Sequence, residues 1–218
     1  MHFSLLVFIQ NQRPQKFVSS LETTNMITSL DQLDLNKRYT VADYMSWRFK
    51  ERVELIKGMI VKMSPAPSRR HQAISRELLI EIGLHLRGSK CQVFDAPFDV
   101  QLSRNDETTI VQPDICVICD EAKLTDQGCT GAPDWIIEIL SPGNANKERK
   151  EKFELYEANG VREYWLVDPV SNTVLQYQLT EERRYIGSKP FVAGEQITPV
   201  VVPNLVIDVE HILQREEE

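Results

Sequence analysis

Asp114 follows Gln112-Pro113 and opens the apolar run Ile115-Cys116-Val117-Ile118-Cys119, while Glu138 interrupts Trp135-Ile136-Ile137-Glu138-Ile139-Leu140. Both runs read as buried strands. A lone carboxylate in such a strand is costly unless it is paired, protonated or bound to a cation. Adjacent strands of a sheet lie about 5 Å apart, so two acids at matched depth can share one ion. Hard oxygen ligands without a convergent His/Cys set favour Mg²⁺ or Mn²⁺. Such an ion would activate water and offset charge on a phosphate. Glu54, ahead of the apolar stretch at Met59, is a third acid for the same place. Each acid also has a plainer reading: Asp114 as a turn cap after Pro113, Glu138 as the partner of an Arg or Lys, Glu54 as an exposed acid before a strand.

These residues need elements to hold them. Thr40 with Asp43 three positions on predicts a short capped helix. Glu54 to Met63 predicts strand, turn and strand, bent near Gly58 and closed by Pro65 and Pro67. Ser68 predicts the cap of a helix over about Arg69–Arg87, with Ile74, Leu78, Leu79, Ile82 and Leu86 at helical spacing and Gly88 as its stop. Strands are expected over Cys91–Leu102, Ile110–Cys119 and Trp135–Leu140, with turns at Asn105-Asp106 and Asp126-Gln127-Gly128. After the breaker Ser141-Pro142-Gly143-Asn144 comes a charged helix over about Ala145–Asn159. A strand at Glu163–Val167 follows, then a hairpin-like region from Val174 to Phe191 and a final strand and turn over Leu205–Leu213. The order predicts an α/β (α+β) fold, a mixed sheet flanked by helices. Residues 1–36 are expected as an arm and 37–218 as the domain.

With 218 residues, 42% of them hydrophobic, the chain suits one generous domain. No stretch approaches the roughly 20 apolar residues that cross a bilayer, so no membrane is expected. Met1 to Gln10 is briefly apolar but lacks a basic n-region and a cleavage site. A cytoplasmic protein is therefore expected, with its four cysteines, Cys91, Cys116, Cys119 and Cys129, as reduced thiols. Cys116 and Cys119 form a C-x-x-C, but side chains three apart on a strand face opposite ways and cannot share a metal. A net charge of −7 argues against coating nucleic acid by charge alone, not against cutting it. Arg69-Arg70-His71 and Lys147 through Lys152 are local basic clusters, and Glu216-Glu217-Glu218 is a solvated tail.

Three stretches carry a resemblance: Gln112-Pro113-Asp114; Asp134-Trp135-Ile136-Ile137-Glu138-Ile139-Leu140-Ser141-Pro142; and Lys152-x-x-x-Tyr156-x-x-x-Gly160-Val161-x-Glu163-Tyr164-Trp165-Leu166-Val167-Asp168-Pro169. Together they resemble the bacterial putative restriction endonuclease family of the PD-(D/E)xK nuclease superfamily, over roughly Tyr39 to Leu179. The resemblance implies a restriction-endonuclease-like fold and a Mg²⁺-dependent endonuclease acting on DNA, often as a homodimer. Asp114 and Glu138 would be the metal ligands, with Glu54 and Lys152 completing the catalytic set.

The superfamily signature would place lysine two residues after the acid, on the same strand face, but Leu140 stands there. The resemblance implies that this lysine has moved to the following helix as Lys152, with Lys150 as the neighbouring candidate. Lys152 and Tyr156 share a helical face, which Phe153 and Tyr156 would seat on the sheet. Lys152 would supply positive charge beside the phosphate; otherwise it is a solvated lysine. His71 stands where the resemblance implies a histidine and could contact substrate beside Arg70, or simply bond the local backbone. Tyr164-Trp165 reads as core. Leu140 also keeps a rival open: a catalytically silent domain that binds nucleic acid or a protein partner.

Overall fold

The computed structural model describes residues 26–63, 66–102, 108–141 and 145–213. The apolar start at Met1–Gln10, Pro65, the Asn105-Asp106 turn, residues 142–144 of the breaker and the acidic tail lie outside them.

Local sequence accounts for most element ends. In α1 (Val41–Ser46) the Thr40 hydroxyl accepts from the Asp43 amide, and the Asp43 carboxylate accepts from the Thr40 amide, the reciprocal capping box expected. Strands β1 (Val53–Ile56) and β2 (Met59–Lys62) form a hairpin whose turn residues Lys57 and Gly58 both take left-handed backbone, φ 53° and 80°. That geometry matches the twist of the strands it joins. Ser68 caps α2 (Arg69–Leu86), and Gly88, at φ 79°, follows its end.

The strands expected over Cys91–Leu102 and Ile110–Cys119 each divide in two. The first gives β3 (Gln92–Asp95) and β4 (Asp99–Gln101); the second gives β5 (Ile110–Val111) and β6 (Ile115–Ile118). Pro97 and Pro113 sit in the gaps, where a residue without an N–H cannot continue a ladder. A hairpin follows, β7 (Leu124–Thr125) and β8 (Gly128–Thr130), turning at the expected Asp126-Gln127. Beyond it lie β9 (Trp135–Ile139), α3 (Ala145–Asn159), β10 (Glu163–Asp168), β11 (Thr173–Leu179) and β12 (Tyr185–Gly187). The described chain closes with β13 (Gln196–Ile197), β14 (Ile207–Asp208) and α4 (Val209–Leu213).

The described residues make a mixed α+β fold with two six-stranded sheets, ordered β2-β1-β5-β4-β8-β7 and β12-β11-β10-β9-β6-β3, and a two-stranded one, β13-β14. In the second sheet β9 and β10 run parallel, joined through α3, while β6 runs antiparallel to β9. The two faces of this sheet bury different partners. Trp135, Ile137, Trp165 and Val167 face the α2 residues Ile74, Leu78 and Ile82. Ile136, Tyr164 and Leu166 pack with Leu155 and Tyr156 of α3 and with Val100 and Val111 of the first sheet. Tyr164 and Trp165 are thus core, as expected. Of residues 1–36, Leu30 is buried with Tyr39, Trp47 and Leu55 in a third cluster.

The cysteines require a correction. β3 and β6 pair with Gln92 opposite Ile118, so one residue outward Cys91 meets Cys119, and the two are joined as a disulfide. Only Cys116 and Cys129 are free thiols, both buried. The expectation of four reduced thiols missed this pairing because it is long-range. Cys116 and Cys119 do face opposite ways: Cys116 lies in the cluster with Ile136 and Tyr164, and Cys119 packs against the one on the α2 side.

Gly128 fixes how β8 meets β4. It pairs with Asp99 at φ 143°, and a Cβ there would stand 2.1 Å from the Asp99 carbonyl oxygen. Gly128→Ala is expected to destabilise the fold by about 2–4 kcal/mol, read as a lower denaturation midpoint at unchanged slope.

Candidate active site

The register of the second sheet brings the acids together. Ile115 pairs with Ile137, so one residue further Asp114 stands across from Glu138. Both line one cleft with Glu54, His71 and Lys152. Glu54 comes from the first sheet, so the cleft lies where the two sheets meet.

Each carboxylate is held through one oxygen. Asp114 Oδ2 accepts from the Ile139 amide at 2.8 Å and lies 3.2 Å from His71 Nε2. Glu138 Oε1 accepts from Lys152 Nζ at 2.8 Å and from the Tyr156 hydroxyl at 2.6 Å. Glu54 Oε1 accepts from the Gln112 amide at 2.9 Å and pairs with Lys152 Nζ at 3.3 Å. Lys152 is therefore an ammonium between two acids, and all three are buried. The turn of α3 that places Lys152 there places Tyr156 one turn on against the same oxygen. Lys150, by contrast, is exposed and pairs with Glu154 on its own helix.

Charge inside the cleft is unbalanced. Burial pushes the Glu138 carboxyl up to about 7; the charges of Asp114 and Glu54 add to the rise, and Lys152 opposes it. Burial alone would lower Lys152, but Glu138 and Glu54 hold it well above the usual lysine range. Burial would likewise lower His71, yet its hydrogen bond to Asp114 and the charges of Asp114 and Glu138 raise it. Three acids thus face one ammonium and a histidine drawn toward its charged form. A divalent cation would relieve that excess.

The donor set fits such an ion. Among the described residues the hydrogen bonds to Asp114, Glu138 and Glu54 fall on Oδ2, Oε1 and Oε1, and each acid has a second oxygen. Among the described residues no three His, Cys, Asp or Glu side chains form a ready-made metal cage. Mg²⁺ needs none, because it binds through one or two carboxylates and keeps several waters.

The expected residues divide. Asp114, Glu138, Lys152, Glu54 and His71 converge. Arg70 does not: its guanidinium bonds Asn172 and the Leu213 carbonyl, tying the start of α2 to α4. Leu140 lines the cleft on the Glu138 face, where the signature lysine would stand. Three residues around the cleft escaped the sequence reading in these roles: Tyr156, whose hydroxyl bonds Glu138, Gln112, whose amide bonds Glu54, and Arg52, which lines the cleft. Gln112 was visible inside Gln-Pro-Asp, but nothing local showed that its amide holds Glu54.

A mixed α+β domain with this layered arrangement is a nuclease-like fold. Its fold matches the crystal structure of a putative nuclease belonging to DUF820 from Anabaena variabilis, with a TM-score of 0.63 at 22% identity, covering 80% of this chain and 97% of that one. The chain belongs to the Uma2 family, described as putative restriction endonuclease, whose model matches residues 41–210. Two uncharacterized proteins of Synechocystis sp. are similar in sequence. One is 29% identical over 139 residues, covering 63% of this chain and 70% of its own length. The other is 27% identical over 170 residues, covering 75% and 87%.

Proposed function

We propose that this chain is a Mg²⁺- or Mn²⁺-dependent endonuclease that hydrolyses phosphodiester bonds of DNA in the manner of a restriction enzyme. The observation that carries this reading is the Lys152 ammonium, 2.8 Å from Glu138, in the cleft that Asp114 lines. It supplies the cation that Leu140 does not. Asp114 and Glu138 would hold the metal, which when bound supplies a Lewis acid beside the phosphate and lowers the pKa of water.

The chain's own groups do the positioning. The Ile139 amide and His71 fix one oxygen of Asp114, so its carboxylate cannot swing away. The Tyr156 hydroxyl fixes one oxygen of Glu138. Glu54 also pairs with Lys152, at 3.3 Å, keeping its charge beside the acids, where negative charge would develop on the phosphate. His71 then serves Asp114 more directly than it serves substrate.

Cutting both strands of a duplex calls for two such clefts, which supports a homodimer, and a DNA substrate supports a cytoplasmic setting. Among the described residues no helix is long and apolar enough to cross a membrane.

Incubating supercoiled plasmid with the protein tests the reading. Nicked and linear products are expected with Mg²⁺ or Mn²⁺ and none with EDTA. Leu140 favours the rival, a domain that binds nucleic acid or a partner without cutting; intact plasmid under every metal condition would favour it and overturn the proposal.

A further inference from the structure

Arg52 immediately precedes β1, and the two-residue repeat of extended chain puts it on the same face as Glu54. Its exposed side chain lines the same cleft as the acids. Its Nε donates to Gln112 Oε1 at 2.9 Å. Gln112 has no freedom to turn, because its Nε2 donates to Asp99 Oδ1 at 2.7 Å, and Asp99 also accepts from the Tyr44 hydroxyl at 3.0 Å. Anchoring the donor end of an amide on a carboxylate leaves its acceptor end for the guanidinium. Tyr44 of α1, Asp99 of β4 and Gln112 after β5 thus aim one arginine at the cleft rim.

We propose that Arg52, aimed by Gln112, is a binding site for a backbone phosphate of the nucleic acid, next to but distinct from the acids that would hold metal. The inference rests on the phosphodiesterase reading of the cleft and adds a recognition residue to it. The Nε bond engages one edge of the guanidinium, and the terminal nitrogens form the planar fork that takes two phosphate oxygens side by side. The need for such a group follows from charge. The floor carries Glu54, Asp114 and Glu138, and the whole chain is at −7, so an arriving polyanion meets repulsion unless the rim offers a placed cation.

The test is anisotropy of a labelled DNA duplex titrated with full-length protein in Ca²⁺ across a salt series, beside calorimetry with Mn²⁺ alone. Arg52→Ala is expected to weaken duplex binding about tenfold and to lower the salt slope by about one. Its Mn²⁺ affinity should equal that of the wild type, showing that fold and acids are intact. Arg52→Lys should restore the salt slope but only part of the affinity, because a lysine has no fork and no Nε for Gln112. Unchanged slope and affinity in Arg52→Ala overturn the inference and leave the nuclease reading standing. A parallel loss of Mn²⁺ affinity assigns Arg52 to holding the acids and also overturns it. A wild-type protein that does not bind the duplex removes the nuclease reading, and the phosphate site with it.

Discussion

Replacing Lys152 by methionine will lower DNA cleavage about 10²–10³-fold, the scale on which one placed charge stabilises a transition state. The same change will destabilise the metal-free protein. Removing one partner from a buried ion pair typically costs about 3–5 kcal/mol. Here Lys152 serves two acids, Glu138 at 2.8 Å and Glu54 at 3.3 Å, and their repulsion would then be unrelieved. The raised Glu138 pKa lets that side chain take a proton and blunt the loss. The distinguishing sign is metal dependence: Mn²⁺ should raise the melting temperature of Lys152→Met more than that of the wild type, since the ion takes over neutralisation but not catalysis. Lys152→Arg should rescue poorly, because a planar fork does not fit a site shaped for a compact ammonium. Thermal scans with and without Mn²⁺, beside plasmid cleavage, read both effects; full activity in Lys152→Met would remove the lysine from the mechanism.

Asp114→Ala should abolish cleavage to the detection limit and cost about 1–3 kcal/mol of stability. The Asp114 side chain is itself 22% exposed, but its loss leaves the Ile139 amide and His71, both buried, without this acceptor. Circular dichroism should show an intact fold and the plasmid assay no product. Residual cleavage within tenfold of the wild type would mean that Asp114 is only the turn cap its Pro-Asp context also allows.

Much of this site was legible because charge stands out in apolar surroundings. Asp114 and Glu138 are conspicuous within strands that otherwise bury hydrocarbon, whereas Lys152, one charge among many on its helix, stood out only through the family resemblance. Helix ends were legible for a different reason: Thr40 with Asp43, Ser68 and Gly88 act on backbone within a few residues. What escaped depends on residues far apart in the chain. The Cys91–Cys119 bond follows from the β3–β6 register, its partners separated by 28 positions in sequence. Gln112 meets Asp99, Arg52 and Tyr44 only after β1, β5 and β4 pair in the first sheet. Arg70 failed for a geometric reason. Neighbours on a helix are about 100° apart, so when His71 turns to Asp114 the residue before it looks elsewhere. Pro97 and Pro113 were visible, but not that each would pass the chain from one sheet to the other, which is how Glu54 of the first sheet reaches the acids of the second.

Calorimetric titration of Mn²⁺ into metal-free wild type and into Asp114→Ala asks most directly whether these side chains make one cation site. Saturable binding in the wild type, lost in Asp114→Ala, is the expected result. Equal binding in the two proteins, or none in the wild type, would contradict it.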